Sequence, residues 1–252
     1  MNKQNPIGVF DSGFGGISVV KEIKRQLPHE NIIFFGDSKY NPYGTKSNEE
    51  ITQRCIVISD TLIEKNAKAI VIACNTATSV CVKYLRQNYS IDFIGMEPAL
   101  KVACDQGSHR KIAVWATEVT LREKKFQHLM EHFKDQHTIY SIPCPKLVQL
   151  VEQNELDNLE LVNQVLDEYI QQTPDVDSIV LGCTHFVFYK DILEKKLQGN
   201  VHIIDGNQGT VHHLKDILET KDLLNNQKEN GYIQWMNSDE EKLKYSELIF
   251  KR

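Results

Sequence analysis

The sequence has no long hydrophobic segment. No apolar run approaches the roughly 20 residues that a membrane-spanning helix requires, and the first six residues, MNKQNP, are polar and lead directly into a strand-like run. A secretory signal would need an apolar stretch at that position. We therefore expect a cytoplasmic protein that does not bind a membrane.

The chain also lacks an excess of positive charge. It has 252 residues, of which 29 are Lys or Arg and 34 are Asp or Glu, so the formal net charge is −5. A strongly basic nucleic-acid-binding protein is therefore disfavoured. Hydrophobic residues make up 41% and charged residues 25% of the chain. These fractions are ordinary for a globular protein with a buried core and argue against extended disorder.

Neither a zinc-binding nor a disulfide pattern is present among the six cysteines. None of them forms a C-x-x-C pair, and no export signal accompanies them. A structural zinc site therefore has no local support, and the thiols are expected to be reduced. Four of the cysteines lie in helical patterns or in a turn and are interpreted as packing residues: Cys55, Cys81, Cys104 and Cys144.

Nucleotide-binding loops are incomplete or missing. Gly13 and Gly15 stand where a G-x-G-x-x-G motif requires them, but position 18 is serine, and no G-x-x-x-x-G-K-[ST] motif is present. Nicotinamide binding is therefore disfavoured, and a phosphate-binding P-loop has no support. We interpret the run Gly13–Gly16 as a tight strand-to-helix turn whose backbone N–H groups are open to an anion such as a carboxylate.

Short apolar runs alternate with amphipathic helical patterns along the chain. The predicted strands are Ile7–Phe10, Asn31–Phe35, Ala69–Ala73, Asp92–Gly95, Lys111–Trp115, Thr138–Ile142, Ser178–Leu181, Val201–Ile204 and Gly231–Met236. The predicted helices include Ser18–Leu27, Asn48–Lys65 and Leu159–Gln172, and capping boxes are expected at Ser47-x-x-Glu50 and Thr120-x-x-Glu123. Consecutive apolar residues are typical of strands buried on both faces, so the alternation predicts an α/β fold with mainly parallel sheets.

The sequence contains a faint internal repeat. The strand Ala69–Ala73 is followed by Cys-Asn-Thr at 74–76, and Ser178–Gly182 is followed by Cys-Thr-His at 183–185. The two cysteines are 109 residues apart, about the length of one small α/β domain. Two similar lobes could therefore each present one cysteine to a shared cleft.

Polar clusters follow several predicted strands at their carboxyl ends, where ligands bind in parallel α/β sheets. They are Asp11–Gly16, Gly36-Asp37 with Pro42-Tyr43-Gly44, Cys74-Asn75-Thr76, Glu97-Pro98, Cys183-Thr184-His185 and Asp205-Gly206. A cysteine between a strand and the N-terminus of a helix lies near the positive end of the helix dipole, which favours the thiolate. We therefore interpret Cys74 and Cys183 as reactive residues.

The neighbours of these cysteines allow two interpretations. Asn75, Thr76 and Thr184 could serve as helix N-caps or could donate to a substrate carboxylate. His185 could orient a partner or act as an acid beside the thiol of Cys183. Asp11 and Asp37 end strands, where a carboxylate can cap a helix or hold a proton; function is favoured for Asp11 and is as plausible as a structural role for Asp37.

In their order and spacing, these motifs resemble those of the glutamate racemase family, the cofactor-independent amino-acid racemases of bacterial cell-wall synthesis. The matching segments are Gly8–Gly16, Gly36-Asp37, Pro42–Gly44, Ala73–Ala77, Glu97-Pro98, Cys144–Val148 and Gly182–His185. The resemblance implies two α/β lobes facing each other across a cleft, with residues 1–97 and 208–252 in the first lobe and 98–207 in the second. It also implies a homodimer that supplies D-glutamate for peptidoglycan and needs neither pyridoxal phosphate nor a metal.

The resemblance also assigns residues. Cys74 and Cys183 match the two catalytic cysteines, and Asp11 and His185 would tune the nearby thiols. The positions that match substrate-binding and supporting residues are Asp11, Ser12, Tyr43, Gly44, Asn75, Thr76, Thr184 and His185.

The chemistry agrees with two bases. Racemisation removes the α-proton from one face of the amino acid and returns a proton to the other, so two groups must flank the α-carbon and exchange roles in the reverse direction. The α-proton is very weakly acidic, so donors must also stabilise the charge that develops on the carboxylate; one such donor is typically worth about 3 kcal/mol. The candidates are backbone N–H groups near Ser12 and Gly44, with Asn75, Thr76 and Thr184.

The chain departs from the family pattern at Val187, where proline is usual, at Ala116 and Val119, where glycines are usual, and at Asn207. These departures leave the pocket shape open, so aspartate remains an alternative substrate. Two other classes also stay open: a racemase-like scaffold that binds a ligand without turnover, and a thiol hydrolase using Cys183 with His185.

Overall fold

Parallel strands and their connecting helices account for most of the chain. The computed structural model describes residues 1–96 and 99–252, except for the side chain of Lys125. The strands in this part of the chain are β1 Ile7–Asp11, β2 Ile32–Gly36, β3 Ala69–Ile72, β4 Phe93–Gly95, β5 Lys111–Ala116, β6 Thr138–Pro143, β7 Ser178–Leu181, β8 His202–Asp205 and β9 Ile233–Asn237. All nine coincide with strands predicted from apolar runs, within one or two residues at each end.

The described helices lie between these strands and after the last one. They are α1 Ile17–Gln26, α2 Asn48–Glu64, α3 Asn75–Asn88, α4 Leu100–Cys104, α5 Glu118–Arg122, α6 Lys124–Phe133, α7 Pro145–Glu152, α8 Leu159–Gln172, α9 Lys190–Lys196, α10 Asn207–Thr220 and α11 Glu240–Lys251. Three short 3₁₀ segments cover Ser38–Tyr40, Tyr43–Thr45 and Thr184–Tyr189. No helix within the described ranges is both long enough and apolar enough to cross a membrane.

The strands form two separate sheets in which every pairing is parallel. The order in the first sheet is β4-β3-β1-β2-β9, and the order in the second is β6-β5-β7-β8. The first sheet belongs to a compact unit made of Met1–Met96 and Asn207–Arg252, and the second to a unit covering Glu97–Gly206. The predicted α/β class with parallel sheets is confirmed.

The two sheets repeat one topology. Taken in chain order, the first four strands of each unit are arranged second-first-third-fourth, as β2-β1-β3-β4 and as β6-β5-β7-β8. The internal repeat in the sequence therefore corresponds to a repeated strand order. The first unit differs by one additional strand, β9, which pairs with β2 and comes from the C-terminal part of the chain.

Each unit has its own hydrophobic core. In the first unit, α2 contributes a buried face made of Ile51, Cys55, Ile58 and Leu62, the positions predicted from helical periodicity. The capping box of α2 is also confirmed, because Ser47 Oγ accepts from the Glu50 amide while Glu50 accepts from the Ser47 amide. Helix α8 likewise buries Val162, Val165, Leu166 and Tyr169 in the second unit.

The second predicted capping box is wrong. The N-cap of α5 is Thr117, whose Oγ1 accepts from the backbone amide of Thr120, while Thr120 is fully buried inside the helix. Glu123 follows α5 as its C-cap and precedes α6 instead of occupying the first turn of α5. The S/T-x-x-E pattern is short, and here Thr117, three residues upstream, accepts from the backbone amide of Thr120 in place of Glu123.

Candidate active site

The two cysteines Cys74 and Cys183 lie at equivalent places in their sheets. In each sheet the second strand lies on one side of the first strand and the third strand lies on the other side. In parallel α/β sheets, ligands bind beyond the carboxyl ends of the first and third strands, where the order of the strands changes direction. Cys74 follows β3 beside β1, and Cys183 follows β7 beside β5. The repeated topology therefore places one thiol at the ligand-binding edge of each unit.

Cys74 is the N-cap residue of α3. Its Sγ accepts a hydrogen bond from the Ala77 amide at 3.4 Å, so Cys74 caps the helix and, of the two alternatives for Asn75 and Thr76, the N-cap role is excluded. The strand ends one residue earlier than predicted, at Ile72, and leaves Cys74 at the helix entrance. The amide and the positive end of this 14-residue helix favour negative charge on the sulfur.

A chain of polar contacts connects Cys74 to a buried carboxylate. Cys74 Sγ donates to Ser12 Oγ at 3.7 Å, and Ser12 Oγ donates to Asp11 Oδ1 at 3.4 Å. Asp11 is fully buried at the end of β1, and the Gly13 amide also donates to its Oδ1 at 2.9 Å. The Gly13 amide thus binds a side chain of the protein itself and is not open to a ligand, which corrects our interpretation of the glycine turn.

Gly16 is required for this arrangement. A Cβ atom at this position would lie 2.6 Å from the Cβ of Asp11 and 2.9 Å from Cε2 of Phe34. Neither neighbour is the far end of a flexible side chain, so any larger residue would displace the carboxylate that contacts Ser12.

Asp37 has a structural role. Its carboxylate is fully buried, accepts from Tyr43 Oη at 2.6 Å and forms a bidentate ion pair with Arg54 at 2.9 Å for each contact. The Arg54 guanidinium also lies 3.8 Å above the ring of Tyr40. Burial, together with the nearby Cys55 and Asp37, raises the pKa of the Tyr43 hydroxyl. Asp37 and the Tyr43 side chain therefore hold the loop.

Asn75 and Thr76 lie beside Cys74 in the first turn of α3, and both are buried. The side-chain oxygen of Asn75 has no hydrogen-bond partner within the described part of the protein. A buried amide oxygen without a partner costs free energy unless a bound group donates to it. Asn75 Oδ1 is consequently a good acceptor for a ligand donor close to the Cys74 sulfur.

Cys183 has a different environment. Its Sγ lies 3.6 Å from His185 Nδ1, and His185 Nε2 lies 2.8 Å from Glu152 Oε1. Burial disfavours the charged imidazolium, but the hydrogen bonds and negative charges of Cys183 and Glu152 outweigh it, so the pKa of His185 is raised well above its usual value. A protonated His185 stabilises a thiolate at Cys183.

The segment after Cys183 is a 3₁₀ turn, Thr184–Tyr189, and Cys183 forms no side-chain cap. Our expectation that Cys183 lies at the N-terminus of an α-helix was therefore wrong, and of the two alternatives for Thr184 the role of an α-helix N-cap is excluded. A short 3₁₀ turn aligns few peptide dipoles, so the His185–Glu152 pair takes over the electrostatic role that α3 has for Cys74.

The other four cysteines are buried, and none forms a disulfide. Burial raises the pKa of the Cys104 thiol to about 11, and it also raises the pKa values of Cys55 and Cys144 above the usual range. These three stay protonated near neutral pH and behave as packing residues. Within residues 1–96 and 99–252, no group of three or more His, Cys, Asp or Glu side chains is arranged to hold a metal ion.

Comparison with known proteins decides the family. Residues 7–214 match the profile of the Asp/Glu/Hydantoin racemases. The chain belongs to this racemase family. A curated glutamate racemase from Bifidobacterium animalis subsp. lactis is 51% identical over 243 residues, covering 95% of this chain and 94% of its own.

Solved structures agree with this assignment. The glutamate racemase isoform RacE1 from Bacillus anthracis matches with a TM-score of 0.86 and 30% identity over 100% of this chain and 94% of its own. The glutamate racemase from Francisella tularensis, solved with D-glutamate, matches with a TM-score of 0.81 and 30% identity over 98% and 94%. The fold of this racemase is thus the fold of solved glutamate racemases.

Sequence reasoning missed Glu152 and Arg54. Glu152 is 33 residues from His185 in the chain, and only the packing of α7 against the 184–189 turn brings them together. A carboxylate at the end of a helix has no sequence pattern that distinguishes it.

For Arg54 a weak sequence signal exists. An arginine among the polar residues of α2 could reach the carboxyl end of β2, which Asp37 follows.

The predicted polar cluster Asp205-Gly206 contains an ion pair. Asp205, at the end of β8, pairs with Lys190 at 2.8 Å. Glu97-Pro98 lies outside the described residues.

Proposed function

We propose that this racemase interconverts L- and D-glutamate without a cofactor, using Cys74 and Cys183 as the two bases. The observation that carries the proposal is the repeat: in each sheet a cysteine follows the third strand in chain order, and each sulfur contacts groups that favour its charged form. Relatives named glutamate racemases, including one at 51% identity, support glutamate as the substrate.

The proposed reaction requires the two sulfurs to flank the α-carbon of the substrate. In one direction the thiolate of one cysteine removes the α-proton, and the thiol of the other donates its proton to the opposite face. The roles of the two cysteines are then exchanged for the reverse reaction. Such transfers need a positioned acid and base whose proton affinities suit the working pH.

The substrate would be bound by polar groups near each sulfur. Asn75 Oδ1 accepts from the α-ammonium group, since this buried oxygen has no donor among the described residues. Backbone N–H groups near Ser12 and Gly44, with Thr76 and Thr184, donate to the carboxylates. These donors matter most when negative charge develops on the α-carboxylate during proton removal.

Isotope incorporation tests the two-base reaction. In deuterated water without added cofactor, L-glutamate should give D-glutamate with deuterium at Cα, while L-glutamate recovered early should still carry hydrogen. That pattern follows because the thiolate that removes the proton returns the same proton when the reaction reverses. Absence of exchange between about pH 7 and pH 9 would contradict the activity.

Replacing each cysteine assigns the bases. Cys74→Ser and Cys183→Ser should each lower kcat at least 100-fold, because each leaves one face of the substrate without its base. Cys104→Ala is the matched control, since this thiol lies in the core of the second unit and is expected to leave kcat within about twofold. Full activity in either active-site variant would remove that residue from the mechanism.

Comparison of the racemisation rates of glutamate and aspartate decides which of the two is the substrate.

The product would serve peptidoglycan synthesis, with the enzyme acting as a cytoplasmic homodimer. Expression of the chain should restore growth to a bacterial strain that requires D-glutamate, and the Cys74→Ser variant should not. Sedimentation of the purified protein tests the dimer. Ligand binding without turnover, or an acyl group trapped on Cys183, would instead favour a binding protein or a thiol hydrolase.

A further inference from the structure

Asn41 contacts the active-site serine from a loop. The residue lies between the 3₁₀ segments Ser38–Tyr40 and Tyr43–Thr45. Its Nδ2 donates to the backbone carbonyl oxygen of Ser12 at 3.2 Å and to Ser12 Oγ at 3.5 Å. Neither the sequence motifs nor the proposed mechanism assigns a role to this side chain.

The contacts of Ser12 explain why such a donor matters. A serine hydroxyl has one proton and two lone pairs. The proton is directed to Asp11 Oδ1, one lone pair accepts from Cys74 Sγ, and the other accepts from Asn41 Nδ2. The hydroxyl therefore has a full set of partners, and Asn41 also holds the Ser12 backbone.

We propose that Asn41 is a positioning residue for Cys74: it fixes the Ser12 hydroxyl between the Cys74 sulfur and Asp11. When Cys74 gives up its proton, the Ser12 hydroxyl turns to donate to the thiolate, and Asn41 keeps the oxygen in place. Donation from Asn41 also polarises the Ser12 O–H group, which strengthens the bond it makes to the sulfur. The effect of Asn41 on catalysis rests on the proposed function, whereas its effect on the reactivity of the Cys74 thiol does not.

The C-terminal strand holds the loop that carries Asn41. The Asn41 amide donates to the Ser38 carbonyl at 3.3 Å, and Asn237 Nδ2 donates to Ser38 Oγ at 3.0 Å. The Lys39 amide donates to Ser238 Oγ at 3.1 Å. Asn237 ends β9 and Ser238 follows it, so this strand supports Asn41 and, through it, Ser12.

The reactivity of Cys74 toward iodoacetamide tests the proposal. Alkylation is measured for each cysteine peptide by mass spectrometry at one pH near neutrality, in wild type, Asn41→Ala and Asn41→Asp. Cys183 serves as an internal control because its exposed fraction, 8%, nearly equals the 7% of Cys74. Asn88→Ala is the matched control variant, since Asn88 donates its amide to the Tyr84 carbonyl on the surface of the same unit.

Loss of one hydrogen-bond donor should slow alkylation of Cys74 about three- to tenfold in Asn41→Ala, with Cys183 unchanged. Asn41→Asp keeps the side-chain shape but places an acceptor against the Ser12 oxygens, so we expect a larger decrease. Racemisation should show a lower kcat with KM within about twofold, and Asn88→Ala should match wild type in every measurement.

An unchanged rate at Cys74, or equal changes at Cys74 and Cys183, would overturn the proposal. If the wild-type protein does not racemise glutamate, the proposed function fails, while the alkylation rates still decide the role of Asn41. If Asn41→Ala does not fold, Asn41→Asp provides the same comparison with less change in volume.

Discussion

At the scale of single residues, Cys74 and Cys183, the two bases of the proposed reaction, contact different groups. Cys74 depends on a helix N-terminus and a serine, whose effects do not titrate near neutral pH. Cys183 depends on His185, a titratable group whose pKa is raised by its contacts with Cys183 and Glu152. The two halves of the reaction should therefore respond differently to pH and to substitution.

Replacing Glu152 by Gln should weaken the Cys183 half of the reaction. Glu152 is one of the groups that raise the pKa of His185, so its loss lowers that pKa and the imidazolium loses its proton at lower pH. We expect kcat/KM to fall about tenfold or more and its decrease at alkaline pH to begin earlier. The measurement is the pH profile of kcat/KM with an NMR titration of His185.

Glu152→Gln should also lower the free energy of unfolding. Because the pKa of folded His185 is raised, its contribution to stability is present below the usual histidine pKa and is lost as pH rises through the raised value. Glu152→Gln should reduce that contribution. Glu168→Gln is the control, because Glu168 forms an exposed pair with Lys146. An unshifted pH profile in Glu152→Gln would refute the role assigned to Glu152.

At the scale of elements, α2 supports the active-site loop. The sequence alone predicted this helix, its cap and its buried face, because all three depend on local spacing. It did not predict that Arg54 on the other side of α2 would pair with Asp37, because that contact requires α2 to pack beside the end of β2. The contact between Cys183 and His185 could be predicted from the sequence, because the two residues are 2 positions apart. The contact between His185 and Glu152 could not, because these residues are 33 positions apart.

Replacing Arg54 by Met should destabilise the protein by about 3 kcal/mol, because the Asp37 carboxylate would remain buried without its partner. The free energy of unfolding in urea measures the effect. Asp37→Asn in the Arg54→Met background should recover part of the loss, since the buried charge is then removed.

The matched control is Arg122→Met, whose partner Glu118 is exposed; a change below about 0.5 kcal/mol is expected. A similar small change in Arg54→Met would show that the Asp37–Arg54 pair does not hold the loop.

At the scale of the whole molecule, the chain builds the same strand order twice and adds its C-terminal part to the first unit. Alternating apolar runs and helices were enough to predict the α/β class. The faint similarity around positions 74 and 183 indicated the repeat. The pairing of β9 with β2 could not be derived from local patterns, because it joins residues about 200 positions apart.

A buried ion pair fastens the two segments of the first unit. Lys68 and Glu30 are almost completely buried and lie 2.5 Å apart. Lys68 Nζ also donates to the carbonyls of Lys3 and Leu223, and Glu30 accepts from the Asn225 amide. These contacts join the N-terminal and C-terminal parts of the chain.

Replacing Lys68 by Met should destabilise the protein by about 3–5 kcal/mol, since Glu30 would keep a buried charge without a counter-charge. Urea unfolding measures the loss, and Lys68→Met combined with Glu30→Gln should be more stable than Lys68→Met alone. The exposed pair Lys3–Asp222 supplies the control, with Lys3→Met expected to change stability by less than about 1 kcal/mol. Equal stability of the Lys68→Met and Lys3→Met variants would contradict this assignment.

The most direct test of the two-base account is a crystal structure of the protein with glutamate bound. We expect the sulfur atoms of Cys74 and Cys183 on opposite sides of the ligand α-carbon, each within about 3.5 Å of it, as proton transfer requires. A ligand with both sulfurs on one side, or with either sulfur out of reach of the α-carbon, would contradict the mechanism.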